Sequence, residues 1–216
     1  MRTDRLAPSD LATPSLDPDT LVLAPTALEY LALRIGAPRA IAVRTGIGLR
    51  RWSPSRLQAC VVLCGLAGAL EAGMPPGTVF VPHSVAFMDS GRFACDSVLS
   101  DALLGAAERL GFEPRTGTLL TADTMITSSA RSMWAAKGFD AVDMETGLLA
   151  GSGSRFATVR IVLDGPDHPI SEEWLRPGAA LTRFRLWQEL LWMAGAAPRY
   201  ALRAARIVDA ASGRGG

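Results

Sequence analysis

Short apolar runs recur along this chain, each followed by a stretch with helical spacing, and that alternation limits the fold more than any other feature. The runs are LVLAP at 21–25, AIAV at 40–43, ACVVLCG at 59–65, TVFVPHSVAF at 78–87, TGTLLTA at 116–122 and ATVRIVLD at 157–164. Most are apolar on both faces, the mark of strands covered on both sides. The intervening segments carry helix signals. Thr26 with Glu29 has the spacing of a capping box and opens a helix over ALEYLALRI to Gly36. Ser53-Pro54 opens another, with proline at the first helical position. DSVLSDALLGAAERLG ends at Gly111, SSARSMWAAKG closes on Lys137 and Gly138, and AVDMETGLLAG passes from a short strand into a small-residue helix. The pattern implies an α/β protein of three layers, a central sheet with helices on each face.

A chain of 216 residues is long enough for one sizeable core and short for two. We read residues 1–19 as an irregular leader, 20–208 as a single domain and 209–216 as a flexible tail. A net charge of +1, with Lys137 the only lysine, argues against nucleic-acid binding, which needs a surplus of phosphate-neutralising charge. Cys60, Cys64 and Cys95 are too few and wrongly spaced for a disulfide framework, and His83 and His168 are the only histidines, so no metal is expected. A reducing compartment, the cytoplasm, fits best. Neither a secretory signal nor a membrane span is legible. A dinucleotide-binding fold is the obvious rival, but APTALE, not GxGxxG, follows the first strand. The glycine pairs in TGIG and CGLAG read as tight turns or sites of close backbone approach.

Two arrangements point to chemistry. Asp164 ends an apolar strand just before Gly165-Pro166, where desolvation would raise its pKa and fit it as a general acid; an ordinary turn-forming Asp reads the same way locally. Arg160, four residues earlier, falls on the same face by the two-residue period, about 13 Å away if extended, so direct contact needs a bulge. An arginine among Val and Ile must find an acceptor. Glu145 in DMETG is the natural candidate, although Asp143 and Glu145 also suit the start of a helix.

LCGLAGAL at 63–70, VDMETG at 142–147 and RIVLD at 160–164, in that order and spacing, resemble the nucleoside phosphorylase and nucleosidase superfamily. Its members include methylthioadenosine/S-adenosylhomocysteine nucleosidases, purine nucleoside phosphorylases and hopanoid-biosynthesis-associated phosphorylase-like proteins. The likeness covers residues 20 to about 195 and implies a three-layer α/β/α fold with a central mixed sheet, in which a glycine-bearing loop follows the third apolar strand. It implies that Asp164 is the general acid at purine N7, and that Glu145 grips the ribose hydroxyls with Met144 against the sugar. Glu29 would orient the attacking water, and Arg160 would sit near the sugar and nucleophile carboxylates. Met125 and Ile126 would flank the base, without the aromatic that nucleosidases place there, and Gly65, Leu66, Ala67 and Leu163 would line the substrate site. It implies no cofactor and a homodimer; in the sequence itself Phe87, Met88 and Phe93 cluster in VPHSVAFMDSGRFACD, which suits such a contact or an intrachain core role.

The departures from the family pattern bear on the nucleophile. Leu63 and Leu66 stand where phosphorylases supply an arginine and a serine to phosphate, leaving Arg44 and Arg160 as the arginines able to take that anion. Leu163 replaces the serine before the catalytic acid. The reading is therefore cleavage of the N-glycosidic bond of a purine nucleoside, a 5′-modified adenosine, by water. The alternatives are phosphorolysis, with phosphate as co-substrate, and nucleoside binding without turnover. The C-terminal stretch, with Trp174, Trp187 and Trp192 among Arg183, Arg185, Arg199, Arg203 and Arg206, reads either as a packing helix with a solvated basic face or as a peripheral contact with the inner membrane. An apolar 5′ substituent of the kind found in hopanoid precursors suits that combination.

Overall fold

Each apolar run that falls among the described residues becomes a strand. The computed structural model describes residues 14–52, 60–88, 90–126, 128–170 and 187–213. Its elements are β1 (Leu21–Ala24), α1 (Ala27–Gly36), β2 (Ile41–Arg44), β3 (Cys60–Ala69), β4 (Val79–Phe80), β5 (Ser84–Phe87), β6 (Arg92–Ala94), α2 (Ser97–Arg109), β7 (Thr118–Thr121), α3 (Ser128–Ala136), β8 (Ala141–Asp143), β9 (Arg155–Asp164) and α4 (Trp187–Ala211). The helix start at Ser53-Pro54, and Trp174, Arg183 and Arg185, lie outside the described residues.

The sheet is mixed and flanked by helices, as read from the sequence. β2, β1, β3 and β9 pair in parallel, as do β5, β7 and β8, whereas β3–β8, β4–β9 and β5–β6 are antiparallel. Pro82 has no N–H to give a ladder and separates β4 from β5. Val81 and His83 on either side still donate to Arg115 and Gly117. Followed strand to strand, the pairings run β3–β9–β4, cross Pro82, and return through β5–β7–β8 to β3, so the ladder closes on itself.

Period-two alternation sorts the side chains into two packed faces. Leu21, Leu23, Val61, Leu63, Phe80, Val85 and Leu119 meet in the core that this closed ladder surrounds. Their neighbours Val22, Ala24, Val62, Cys64, Val159 and Ile161 turn the other way and pack beneath α1, α2 and α4. Leu120, Val142 and Ala86 pack against Trp134 of α3.

Some local readings change. The glycines of CGLAG form neither a turn nor a loop, because β3 runs unbroken through Ala69 with Gly65 and Gly68 inside it. The small-residue helix after VDM shrinks to a single 3₁₀ turn, Thr146–Leu149. Leu16, within the expected leader, is buried, and its N–H donates to the carbonyl of Ala211 at 2.8 Å. Helix α4 runs on to that same buried Ala211, past residue 208.

Candidate functional site

At the ends of β1, β3, β8 and β9 lies a cavity of about 390 Å³. Glu29, Leu66, Ala67, Met125, Ile126, Met144, Glu145, Leu163 and Asp164, all singled out from the sequence, form its wall together with Thr26, Leu28, Ile47, Arg131 and Asp143. Gly65 and Arg160 do not reach it. Arg160 is fully buried behind the wall, next to the carboxylates beside which the resemblance put it, and acts on the cavity through them. Leu63 belongs to the core and Arg44 is exposed at the end of β2, so neither lines the cavity.

Glu29 is fixed by the capping box expected at the start of α1. Its Oε2 accepts from Thr26 N at 2.8 Å and Thr26 Oγ1 at 2.7 Å, while Thr26 Oγ1 accepts from Glu29 N. The same carboxylate reaches β3, where Leu66 N donates to Oε1 at 2.8 Å. Gly65 makes this approach possible. A Cβ there would overlap Glu29 Oε1 and stand 2.8 Å from Arg160 Nη1.

Glu145 follows β8 directly, at the mouth of the 3₁₀ turn. Oε2 accepts from Arg160 Nη2 at 3.2 Å and Oε1 from Gly48 N at 3.3 Å, in the loop where Gly48 adopts φ +64°. Asp143, which the sequence reading treated only as a helix-start acid, is the hub beneath it. Its carboxylate takes Arg160, Thr121 Oγ1 at 2.6 Å, Thr146 Oγ1 and the N–H groups of Glu145 and Thr146. It thus does begin that turn, while also anchoring Arg160. Burial pushes Glu145 up to about 7; Arg160 pulls it back, and Asp143 and Glu29 push it further. Arg160 stays charged because those three carboxyl groups outweigh the cost of burying it.

Asp164 does not meet Arg160. Along β3 and β9, Ala67 stands opposite Val162 but Gly68 stands opposite Asp164, so Leu163 is the extra residue of a bulge. The bulge sets Asp164 beside Gly68, whereas Arg160 lies beside Gly65, three positions away and on the other face. Asp164 pairs instead with Arg131 of α3, whose Nη1 donates to the carbonyl of Ala69 at 2.6 Å. Burial raises Asp164 above the usual carboxylate range, and Arg131 offsets only part of that. Sequence reasoning missed Arg131. The signal was there: three positions before the buried Trp134, it lies on the apolar face of its helix.

Among the described residues the wall therefore carries four acids, Glu29, Asp143, Glu145 and Asp164, and one base, Arg131, already bound to one of them. The remainder is largely apolar. Such a cavity holds protons and hydroxyl groups well and stabilises developing positive charge, but is poorly suited to a free anion.

Comparison with solved structures finds the same fold. The 5′-methylthioadenosine/S-adenosylhomocysteine nucleosidase of Neisseria meningitidis, bound to methylthio-immucillin-A, is 18% identical with a TM-score of 0.65 over 88% of this chain and 96% of that one. The S-adenosylhomocysteine nucleosidase of Streptococcus pyogenes is 14% identical with a TM-score of 0.69 over 91% and 97%. The futalosine hydrolase of Helicobacter pylori is 12% identical with a TM-score of 0.67 over 88% and 95%. A search of curated proteins finds no match. The family model of the phosphorylase superfamily matches residues 25–176, and the chain belongs to that superfamily.

Proposed function

We propose that this protein hydrolyses the N-glycosidic bond of a purine nucleoside. One observation carries the reading: Glu29, Glu145 and Asp164 converge on an apolar cavity where, among the described residues, the single basic wall residue is already paired. A carboxylate offers about four acceptor positions. Arg160 and Gly48 take one each on Glu145, leaving room for two sugar hydroxyls, with Met144 beside them. Thr26 and Leu66 occupy most of Glu29, leaving a position for one water. Asp164, whose pKa burial raises, faces the base.

In the reaction the C1′–N9 bond breaks and its electron pair passes to the purine. Asp164 supplies the proton to N7, so a neutral base departs. The ribosyl centre gains positive charge next to Glu145, which opposes that charge at short range. Water adds to C1′ and gives its proton to Glu29. Each step uses a group already oriented by a backbone N–H or a guanidinium, so little reorganisation is left to the transition state.

The choice of water over phosphate rests on the cavity's charge. Neither Arg44 nor Arg160 lines it, and Arg131 is engaged. Leu28, Ile47 and Leu66 on the wall support an apolar 5′ group. Adenine as the base rests on family resemblance alone, and Arg131 bears on it below. The test is incubation with purine nucleosides in phosphate-free buffer, with free base and free ribose expected. Strict phosphate dependence with ribose 1-phosphate as product would establish phosphorolysis, and tight binding without product a non-catalytic role.

We further propose a cytoplasmic homodimer meeting through the β5–β6 hairpin, where Phe93 is 41% exposed beside half-buried Phe87 and Met88. Light scattering at assay concentration checks this, and a fully active monomer refutes it. Among the described residues, the surface that suits peripheral membrane contact is the N-terminal half of α4, where Trp187, Leu191 and Trp192 are exposed. Arg203 is committed elsewhere, stacked on Phe112 and Tyr200 and donating to Gly77. Among the described residues no helix is long and apolar enough to cross a membrane. Co-sedimentation with anionic vesicles, lost on Trp187→Ala/Trp192→Ala, is the expected result.

A further inference from the structure

We infer that Arg131 is a specificity-determining residue that selects nucleosides of 6-oxopurines over those of 6-aminopurines. The inference rests on the proposed reading that Asp164 delivers its proton to N7 of the base. N7 and the substituent on C6 share one edge of a purine. A 6-oxopurine presents two acceptors there, N7 and O6, whereas a 6-aminopurine presents one acceptor and one donor.

A lone carboxylic acid complements the amino edge, giving its proton to N7 and accepting from the amino group with its second oxygen. In this cavity the second oxygen already accepts from a guanidinium, so an amino group aimed at it meets a cation. Asp164 Oδ2 accepts from Arg131 Nη2, the Ile170 N–H also serves this carboxyl, and Oδ1, lying against Gly68, is the oxygen we assign to N7. The group beside Oδ1 in position to meet the C6 substituent is then a guanidinium. An O6 accepts from it; an amino group brings donor against donor, next to a fixed positive charge.

Arg131 has little freedom to withdraw. It is buried, its Nη1 is tied to the carbonyl of Ala69 at 2.6 Å, and its helix is packed through Trp134. One N–H of Nη1 is engaged by Ala69 and one of Nη2 by Asp164, so each of these nitrogens retains a second donor. As the glycosidic bond breaks, electron density moves into the purine and, in a 6-oxopurine, onto O6. Arg131 opposes that charge more strongly in the transition state than in the bound substrate.

The test compares inosine and guanosine with adenosine, each also with the same 5′-alkylthio group, by kcat/KM of the wild-type protein at neutral pH. Binding of hypoxanthine and adenine is measured alongside by calorimetry. We expect the 6-oxopurine nucleosides to be favoured by about 100-fold or more, within the range that a buried hydrogen-bonding group imposes. Arg131→Met should bring that ratio to within about tenfold, and Arg131→Lys should keep part of it. Equal or faster cleavage of adenosine by wild type overturns the inference, as does an Arg131→Met variant that loses both substrates in proportion. The wild-type comparison needs no variant, so a poorly folding substitution does not remove the test. Cleavage of no purine nucleoside overturns the hydrolase reading itself. Base binding then decides the inference separately: hypoxanthine bound in preference to adenine upholds it, and any other order refutes it.

Discussion

Asp164 and Glu145 ask for opposite protonation states, although burial raises the pKa of both. Asp164→Asn keeps an oxygen for Arg131 but has no proton to give, so the fold should persist while turnover falls by about 10²-fold or more. Turnover near wild type, measured by base release, excludes the acid role. Glu145 must be ionised to grip sugar hydroxyls as an acceptor, and burial raises it from 4.5 to about 7. Activity should therefore rise through pH 7, and that limb should vanish in Glu145→Gln. The stability sign runs the other way. Between pH 4.5 and 7 the folded protein holds a proton on Glu145 that the unfolded chain has lost, so this group favours folding less as pH rises. Glu145→Gln should thus gain thermal stability relative to wild type across that interval, on the order of 3 kcal/mol by pH 7, and a constant difference in Tm would contradict it.

At the level of elements, the start of α1 and the middle of β3 are locked together by one carboxylate. Thr26→Ala removes both the helix cap and the hydroxyl on Glu29 Oε2. We expect a loss of about 1 kcal/mol in stability, measured by urea unfolding, together with a drop in kcat; Thr26→Ser should restore both. A fall in stability with kcat unchanged would show that Glu29 does no more than cap the helix. Gly65→Ala places a methyl group where Glu29 Oε1 and Arg160 Nη1 now lie. Overpacking of this kind costs about 1–3 kcal/mol and should displace Glu29, so activity should fall at least tenfold even where the protein remains folded. The bulge at Leu163 is the other elemental device. Without it Asp164 would share the face of Arg160 and be drawn into the Asp143–Glu145 cluster.

For the whole molecule, the outer cover of the sheet depends on the end of the chain. Ala201, Ala204, Ala205, Ile207, Val208 and Ala211 of α4 are buried against α1, α2, β3 and β9. Ile207 and Val208 alone contribute about 3–6 kcal/mol by burial, a large part of the roughly 5–15 kcal/mol that holds a domain folded. Ending the chain at Gly195 should therefore abolish cooperative unfolding, seen by circular dichroism, and not merely trim a tail. A truncated chain that melts cooperatively would show that the remaining layers suffice.

What the sequence determined by itself is what local chemistry determines. Apolar runs bounded by glycine and proline gave the strands, and the Thr26–Glu29 spacing gave the cap of α1, because period and capping act within a few residues. That Glu29, Glu145 and Asp164 share one site was implied by the family resemblance, not by local chemistry, and all three line one wall. Only the tertiary structure decided who pairs with whom. Arg160 could be assigned an acceptor by cost alone, and Glu145 was the right partner, but Asp143 accepts from the same guanidinium nitrogen. Arg131, separated from Asp164 by 33 positions, left no sign of its partner in local spacing. A one-residue bulge reverses a strand face without changing hydropathy, and a long-range ion pair depends on which strand ends the closed sheet brings together. Those two effects, invisible to period and propensity, place the acid beside a guanidinium and give the cavity its charge.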